Sequence, residues 1–481
     1  MIIYWFRNDI RLHDNPALFQ ALKQSQRDKS PLVTVFINTP EQWRKHHRSK
    51  RQIDFLHRHI NATKSELENY HIPLLWLEAD DFKQQTAMVF KLAQQLHCHD
   101  LFINEELEVN ETQRDKELEL LLAAQGTKLH SSESDVIVPK GSLLNQQGQM
   151  YRVFTPFKKA WLKYADRHPI ELKDCQPLLT QYAAEFCKSK RFKDSMLPEL
   201  TQFQYQTSAL TQSWPIYNSQ QSAQNIDFFA SGIFHYDDKR DFPAQNATSN
   251  LSPYLAIGAL SSRALFQGLP QYKDILPASE RASIDTWRNQ LIWRDFYRHL
   301  LFHFPTLSKG ACFQEKYQSL PWPNSNKLFD AWCNGKTGYP LVDAAMMQLK
   351  TTGWMHNRLR MIVASFLTKH LLVDWRLGEK YFSQQLIDID LANNNGGWQW
   401  AASTGCDAQP YFRIFNPITQ SKKFDPNGEF IRIYLPMLNQ VPDNKVHFPH
   451  EYMEENKLEG YWPAVVEHKQ ARENALAFYQ I

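Results

Sequence analysis

Along the first third of the chain, short apolar runs alternate with stretches whose apolar residues recur at helical spacing. The runs at 2–6, 32–37, 74–77 and 101–103 predict strands, with a weaker fifth at 135–138. Between them, 52–67 and 87–96 carry the period of amphipathic helices. Strands alternating with helices predict an α/β domain, a doubly wound parallel sheet over residues 1–135. No GxGxxG follows the first run, so the usual dinucleotide fingerprint is absent. From 136 to 205 the pattern weakens around Asn145-Gln146-Gln147-Gly148 and scattered prolines, which reads as a connector. A Gln/Ser-rich stretch, including Ser219-Gln220-Gln221-Ser222, follows. Thereafter the periodicity is helical and strand signals nearly vanish, so 206–481 predicts a C-terminal all-helical domain. No internal repeat or long low-complexity tract interrupts it.

Composition narrows the class. A chain of 481 residues exceeds one ordinary core and predicts two domains or three. Apolar residues at 43% and charged residues at 22% suit a globular protein. No apolar run approaches the roughly 18 residues of a membrane helix, so no membrane role is expected. The apolar start meets Arg7 and Asp9 at once and reads as a first strand, too short for a signal-peptide core. The cysteines at 98, 175, 187, 312, 333 and 406 lie far apart without a CxxC pair. That predicts neither disulfides nor a zinc site, and a reducing, cytoplasmic setting. A net charge of +3 requires any nucleic-acid binder to gather its positive charge in a patch. Of fourteen tryptophans, those at 287, 293, 322, 332, 354, 375, 398 and 400 crowd the helical half. Two readings fit them: a large aromatic core, or a planar cofactor or nucleobases held among rings.

Candidate chemistry sits in the same half. In Thr248-Ser249-Asn250-Leu251-Ser252-Pro253, Ser252 is a good N-cap and Pro253 suits a first helical turn. The hydroxyls of Thr248 and Ser249 stand just before it, so the segment reads either as plain capping or as a phosphate cradle. On a helix over 284–301, Trp287, Gln290, Trp293, Arg294 and Tyr297 fall in one sector, opposite Leu291, Ile292, Phe296 and Leu300. That pattern suits a helix lying between a core and a cavity. Trp354, Asn357 and Met361 share a face at i, i+3 and i+7. Asp388 and Asp390 precede Asn394, Trp398 and Trp400, and Arg360 offers Asp388 a partner if the fold joins them. The two acids fit no calcium loop, and no metal is expected. Gly335-Lys336-Thr337 lacks the first glycine of a P-loop, and His97-Cys98-His99 reads as a surface turn.

Taken in order from Trp5-Phe6-Arg7-Asn8-Asp9 to Tyr411-Phe412-Arg413-Ile414-Phe415-Asn416-Pro417, these segments resemble the photolyase and cryptochrome family over nearly the whole chain. Residues 338–417 are similar to bacterial class I cyclobutane pyrimidine dimer photolyases. The resemblance implies light-driven repair of cyclobutane dimers in DNA by one electron passed from excited reduced FAD to a flipped-out dimer. It implies FAD contacts by Tyr236, Thr248, Ser249, Leu251 and Ser252 on the phosphate and ribityl side. Around the flavin it implies Trp287, Arg294, Asn357, Arg360, Asp388, Asp390 and Asn394, with Asn394 facing the ring nitrogen that takes up a proton. It implies that Trp293, Met361, Gln290, Asn357 and Trp400 line the dimer pocket, and that Arg240, Arg358 and Arg413 grip flanking phosphates. Trp398, Trp375 and Trp322 match an electron relay of indoles. Asn110, Glu111 and Lys309 match contacts to an antenna pigment, 5,10-methenyltetrahydrofolate, with a deazaflavin, another flavin or an empty site as alternatives. A monomer is expected.

Two positions depart from the pattern. Gln290 stands where cyclobutane photolyases usually place glutamate, and Asn250 where close relatives often place arginine. Glutamine keeps an N–H donor but cannot supply a carboxylic proton, so an altered splitting efficiency is expected. Gln290 also occurs in six-four photoproduct photolyases. Those need two histidines at i and i+4, where this chain has Asn357 and Met361. A flavin-dependent oxidoreductase would need a nicotinamide site, and none is recognisable; the other alternative is a cryptochrome-type blue-light receptor without repair activity. The intact pocket indoles and the absence of a long tail after the helix at 471–479 stand against it.

Overall fold

The computed structural model describes residues 1–189, 197–198, 200–217, 232–270 and 275–480. The apolar runs fold into β1 (Ile2–Phe6), β2 (Leu32–Asn38), β3 (Leu74–Glu78) and β4 (Asp100–Asn104). With β5 (Lys128–Ser132) they form one parallel sheet in the order β3-β2-β1-β4-β5. β1 and β2 are buried along their whole length, which is why they read as unbroken apolar runs. Helices α1 (Pro16–Asp28), α2 (Lys50–Glu68), α3 (Phe82–Gln95) and α4 (Val109–Ala124) connect the strands. The strand order reverses between β1 and β4, so a crevice opens beyond their carboxyl ends.

The fifth strand corrects the sequence reading. It is a half-exposed edge strand with alternating polar residues, paired to β4 from Asp100↔Lys128 onward. Residues 135–138 are not a strand. The amides of Ile137 and Val138 instead donate to the Asp295 carboxylate, each at 3.1 Å. Trp161 Nε1 donates to the same carboxylate at 2.9 Å, and burial pushes Asp295 up to about 6. Trp161 lies on α5 (Phe154–Arg167), which with α6 (Gln176–Ser189) occupies the segment read as a connector. The Gln/Ser-rich stretch at 219–222 and the Cys187 side chain lie outside the described residues. The other five cysteines are free thiols.

Beyond residue 232 all regular elements among the described residues are helical. Those that build the site are α7 (Ser252–Ala256), α8 (Ala278–His303), α9 (Pro340–Thr352), α10 (Asn357–Ser365), α11 (Trp375–Gln385) and α12 (Leu391–Ala401). Among the further helices of this half are α13 (Pro417–Phe424) and α14 (His468–Phe478). Trp332, Trp375 and Trp398 belong to its apolar core, so part of the aromatic crowd is packing. A second core is shared between the halves, running from Leu18 and Phe55 to Trp287 and Phe296. Among the described residues no helix is long and apolar enough to cross a membrane.

Candidate active site

Helix α8 lies between that shared core and a cavity of about 710 Å³, and Trp287, Gln290, Trp293, Arg294 and Tyr297 all line the cavity. The opposite wall comes from the starts of α10 and α12. The Gly353 backbone (φ +73°) ends α9, and His356 caps α10 by accepting from Arg358 N at 3.2 Å. Trp354 therefore precedes α10 rather than sharing its face. It still lines the cavity with Asn357 and Met361. Asp390 caps α12 by accepting from Asn393 N at 2.9 Å.

Arg360 Nη2 donates to Asp388 Oδ2 at 2.8 Å, so the fold joins the pair. Asp388 Oδ1 is buried and has no hydrogen-bond partner, and the same holds for Asn289 Oδ1 on the α8 side of the cavity. Asn394 commits its amide hydrogens to Glu379 O at 3.0 Å and Ser383 Oγ at 3.2 Å, which leaves its carbonyl oxygen for the cavity. Such a wall offers acceptors to a ligand rich in N–H and O–H groups, as FAD is. Arg294 is held from behind by Asp135, which also binds Arg298. Burial alone would raise Asp135, but the two guanidiniums outweigh it and hold the carboxyl at about 2.

Thr248, Ser249, Leu251 and Ser252 line the same cavity beside Tyr236. Here the capping argument needs correction. Leu251 holds the N-cap position, Ser252 is the first helical residue, and no side chain caps the helix. The loop is shaped by Asn250, which sits in the left-handed region (φ +53°) and accepts from Thr248 Oγ1 at 3.1 Å. Asparagine tolerates that backbone better than most residues, which is a physical reason for it here.

At the mouth, Trp293 and Trp400 line the cavity with Arg240 and Arg358. Gln290 Oε1 accepts from Arg240 Nη2 at 3.4 Å, and its Nε2 donates to Thr286 O at 3.0 Å. Arg358 Nη2 donates to Asp241 Oδ2 at 2.6 Å, and Asp241 also pairs with Arg240 at 3.8 Å. Arg413 stands apart, exposed on the loop after α12 and outside the cavity lining. Phe154 was not foreseen. Its ring stacks on Trp293 with centroids 3.6 Å apart. Only the stacked geometry reveals it, since α5 carries no motif. Of the three relay candidates, Trp398 lines the cavity against Phe382 (5.0 Å). Trp375 is buried beneath the Arg376 guanidinium at 4.9 Å, and Trp322 packs on Phe478 at 5.0 Å.

A second cavity of about 400 Å³ fills the crevice between β1 and β4 and runs under the helical half. Asn110, Glu111 and Lys309 line it, and Lys309 Nζ donates to Asn110 Oδ1 at 2.9 Å. Sequence reasoning missed His46, Arg48, Glu106 and Glu108 in the same lining. Their position beyond the strand ends was the available signal. Burial and nearby carboxylates push Glu108 and Glu111 up, and Glu111 Oε2 is buried without a partner. These groups fit a ligand that offers hydrogen-bond donors. Ala256, Ile389 and Asp390 line both cavities.

Comparison with known proteins agrees with this geometry. The family model described as DNA photolyase matches residues 2–176, and that of the FAD binding domain of DNA photolyase matches 287–481. A deoxyribodipyrimidine photo-lyase of Vibrio cholerae is 43% identical, covering 100% of this chain and 99% of its own. One from Escherichia coli is also 43% identical, over 99% of this chain and 98% of its own. Among solved structures, a bacterial class III photolyase from Agrobacterium tumefaciens matches with a TM-score of 0.78 and 32% identity. It covers 99% of this chain and 96% of that one. A Synechocystis cryptochrome matches with a TM-score of 0.80 and 26% identity over 99% of both chains.

Proposed function

The chain belongs to the DNA photolyase family, and from that membership we infer that it binds FAD and uses light to split cyclobutane pyrimidine dimers in DNA. The observation that carries the reading is one cavity with two characters. Its deep wall holds the Arg360–Asp388 pair and an unpartnered carboxylate oxygen, while its mouth carries the indoles of Trp293 and Trp400. Bound FAD, reduced and excited by light, supplies the one-electron chemistry that opens the cyclobutane ring without net oxidation.

The chain's own residues hold, orient and shield. Tyr236, Thr248, Ser249, Leu251 and Ser252 take the phosphate and ribityl side of the cofactor. Trp287, Arg294, Asn357, Arg360, Asp388, Asp390 and Asn394 surround its ring, and Asn394 presents an acceptor to the ring edge. A dimer inside a duplex is out of reach and must be everted, which costs less where pairing is already damaged. Trp293 and Trp400 then offer flat faces, Met361 and Gln290 complete the pocket, and Arg240, Arg358 and Arg413 hold flanking phosphates. Trp398, Trp375 and Trp322 serve as the relay that restores reduced cofactor.

We assign 1–135 to antenna binding, 136–205 to the connector and 206–481 to catalysis. The pigment proposed for the smaller cavity is 5,10-methenyltetrahydrofolate, on Asn110, Glu111 and Lys309. A monomer acting in the cytoplasm completes the reading. The test is to illuminate purified protein with a dimer-containing oligonucleotide and count dimers against a dark control. Dimers disappear only in the light. Dimers that persist under light would turn the reading to a cryptochrome-type receptor, which the likeness to the Synechocystis structure would then favour. An absorption spectrum of the same sample reports the second pigment.

A further inference from the structure

We propose that Lys369 is a positioning residue for damaged DNA, tying together the two ends of the 403–413 loop so that Trp400, at the everted dimer, and Arg413, at a flanking phosphate, form one preset surface. The proposal rests on the repair reading above. Lys369 is fully buried in the π-helical turn Phe366–His370 that continues α10. Its ammonium donates to Ser403 Oγ at 2.9 Å, Arg413 O at 3.1 Å and Tyr411 O at 3.4 Å. All three acceptors lie on the segment that follows α12, and they belong to its opposite ends. Ser403 N donates to Trp400 O at 3.3 Å, so one end is tied to a residue that lines the cavity mouth. The other end carries exposed Arg413 and Phe412, the latter 60% exposed.

A buried ammonium is costly, and among the described residues no carboxylate pairs with this one. Core packing alone would be met by leucine or methionine. What a lysine adds is three donors on one atom, matched here by three oxygens of a single loop. The π-turn supplies the change of register that such a placement needs, a device common at functional sites.

The hold is sensitive to protonation. Burial pushes Lys369 down from 10.5 to about 7. Above that value the neutral amine has two donors for three acceptors. The other titratable groups packed about it are His370, His468, Tyr411 and Tyr479, with Arg413 on the loop itself. Burial holds His370 at about 3 and Tyr479 well above 10, so neither changes charge between pH 6 and 9.

The experiment uses the flavin-loaded protein in the dark. Anisotropy gives its affinity for a dimer-containing duplex and for the undamaged duplex from pH 6 to 9 at constant ionic strength. The ratio of the two affinities should fall about tenfold in the wild type as pH rises, the equivalent of one lost hydrogen bond. Lys369→Met should show the reduced ratio at every pH, and Lys369→Arg should keep the high ratio at pH 9. Flavin absorbance shows that each variant is folded. A Met variant with full discrimination, or a wild-type ratio that ignores pH, overturns the proposal. A wild type that neither prefers nor repairs dimers overturns the repair reading instead, and the two failures are distinct.

Discussion

Replacing Asp388 by asparagine changes one charge in the deep wall and almost nothing of its shape. The carboxylate is 2% exposed, with one oxygen bound to Arg360 and the other buried without a partner. A hydrogen bond to a charged group contributes about 1.5–3 kcal/mol. On the arginine side the loss is partly offset. Arg360 is 26% exposed and its Nε also donates to Met355 O at 2.8 Å, so the fold should lose only about 1 kcal/mol. The cavity side has no such relief. A cofactor N–H directed at Asp388 Oδ1 would find an amide hydrogen there in one orientation and an uncharged oxygen in the other. FAD should therefore bind about 1.5–3 kcal/mol more weakly, a Kd about 10- to 150-fold higher. The assay is titration of flavin-stripped protein with FAD, followed by quenching of free-FAD fluorescence, alongside thermal unfolding of the stripped protein. Weak binding with a nearly unchanged melting temperature is the expected pair of results. Binding within twofold of the parent would refute the assignment of that oxygen to the cofactor.

Gln290→Glu restores a group able to carry a carboxylic proton, in place of an amide that now donates to Thr286 O. Repair per absorbed photon should rise, and yields indistinguishable from the parent would remove the idea. Gly378→Ala would place a methyl group 2.1 Å from Trp398 Cη2 and 2.7 Å from Leu367 Cδ2, so the indole must move. The strain should cost about 1–3 kcal/mol in unfolding free energy and slow photoreduction of oxidised flavin several-fold. An unchanged photoreduction rate in the folded variant would argue against Trp398 as the first relay.

Legibility in the sequence followed how local each signal was. The strands β1 to β4 declared themselves because a sheet buried on both faces writes its burial into consecutive residues. Edge strand β5 did not, because Lys128 and His130 break the apolar run, while Val136, Ile137 and Val138 imitate a strand whose amides actually serve Asp295. The cavity face of α8 was readable from helical spacing alone. Trp354 kept its place at the cavity but lost its predicted helix, since the left-handed Gly353 and the His356 cap delay the start of α10. Phe154, His46 and Arg48 were invisible because their contribution depends on which distant segments the fold brings together.

A chain of ion pairs runs between the two cavities and links the two halves. Asp135 follows the sheet and lines the smaller cavity with Arg298, whereas Arg294, one turn away on α8, lines the larger one. Asp135 binds both guanidiniums, and Arg298 reaches on to Asp390 at the cap of α12. A buried ionic ladder of this kind is weak support for stability, because desolvation consumes most of the attraction. Its value lies in geometry: four planar groups linked by directed bonds leave little freedom to shift or tilt. The α/β half thus supports the wall of the larger cavity through Asp135, which holds Arg294 from behind. Asp135→Asn should therefore free Arg294 and weaken FAD binding, read by the same titration of flavin-stripped protein, and a Kd within twofold of the parent would refute that role.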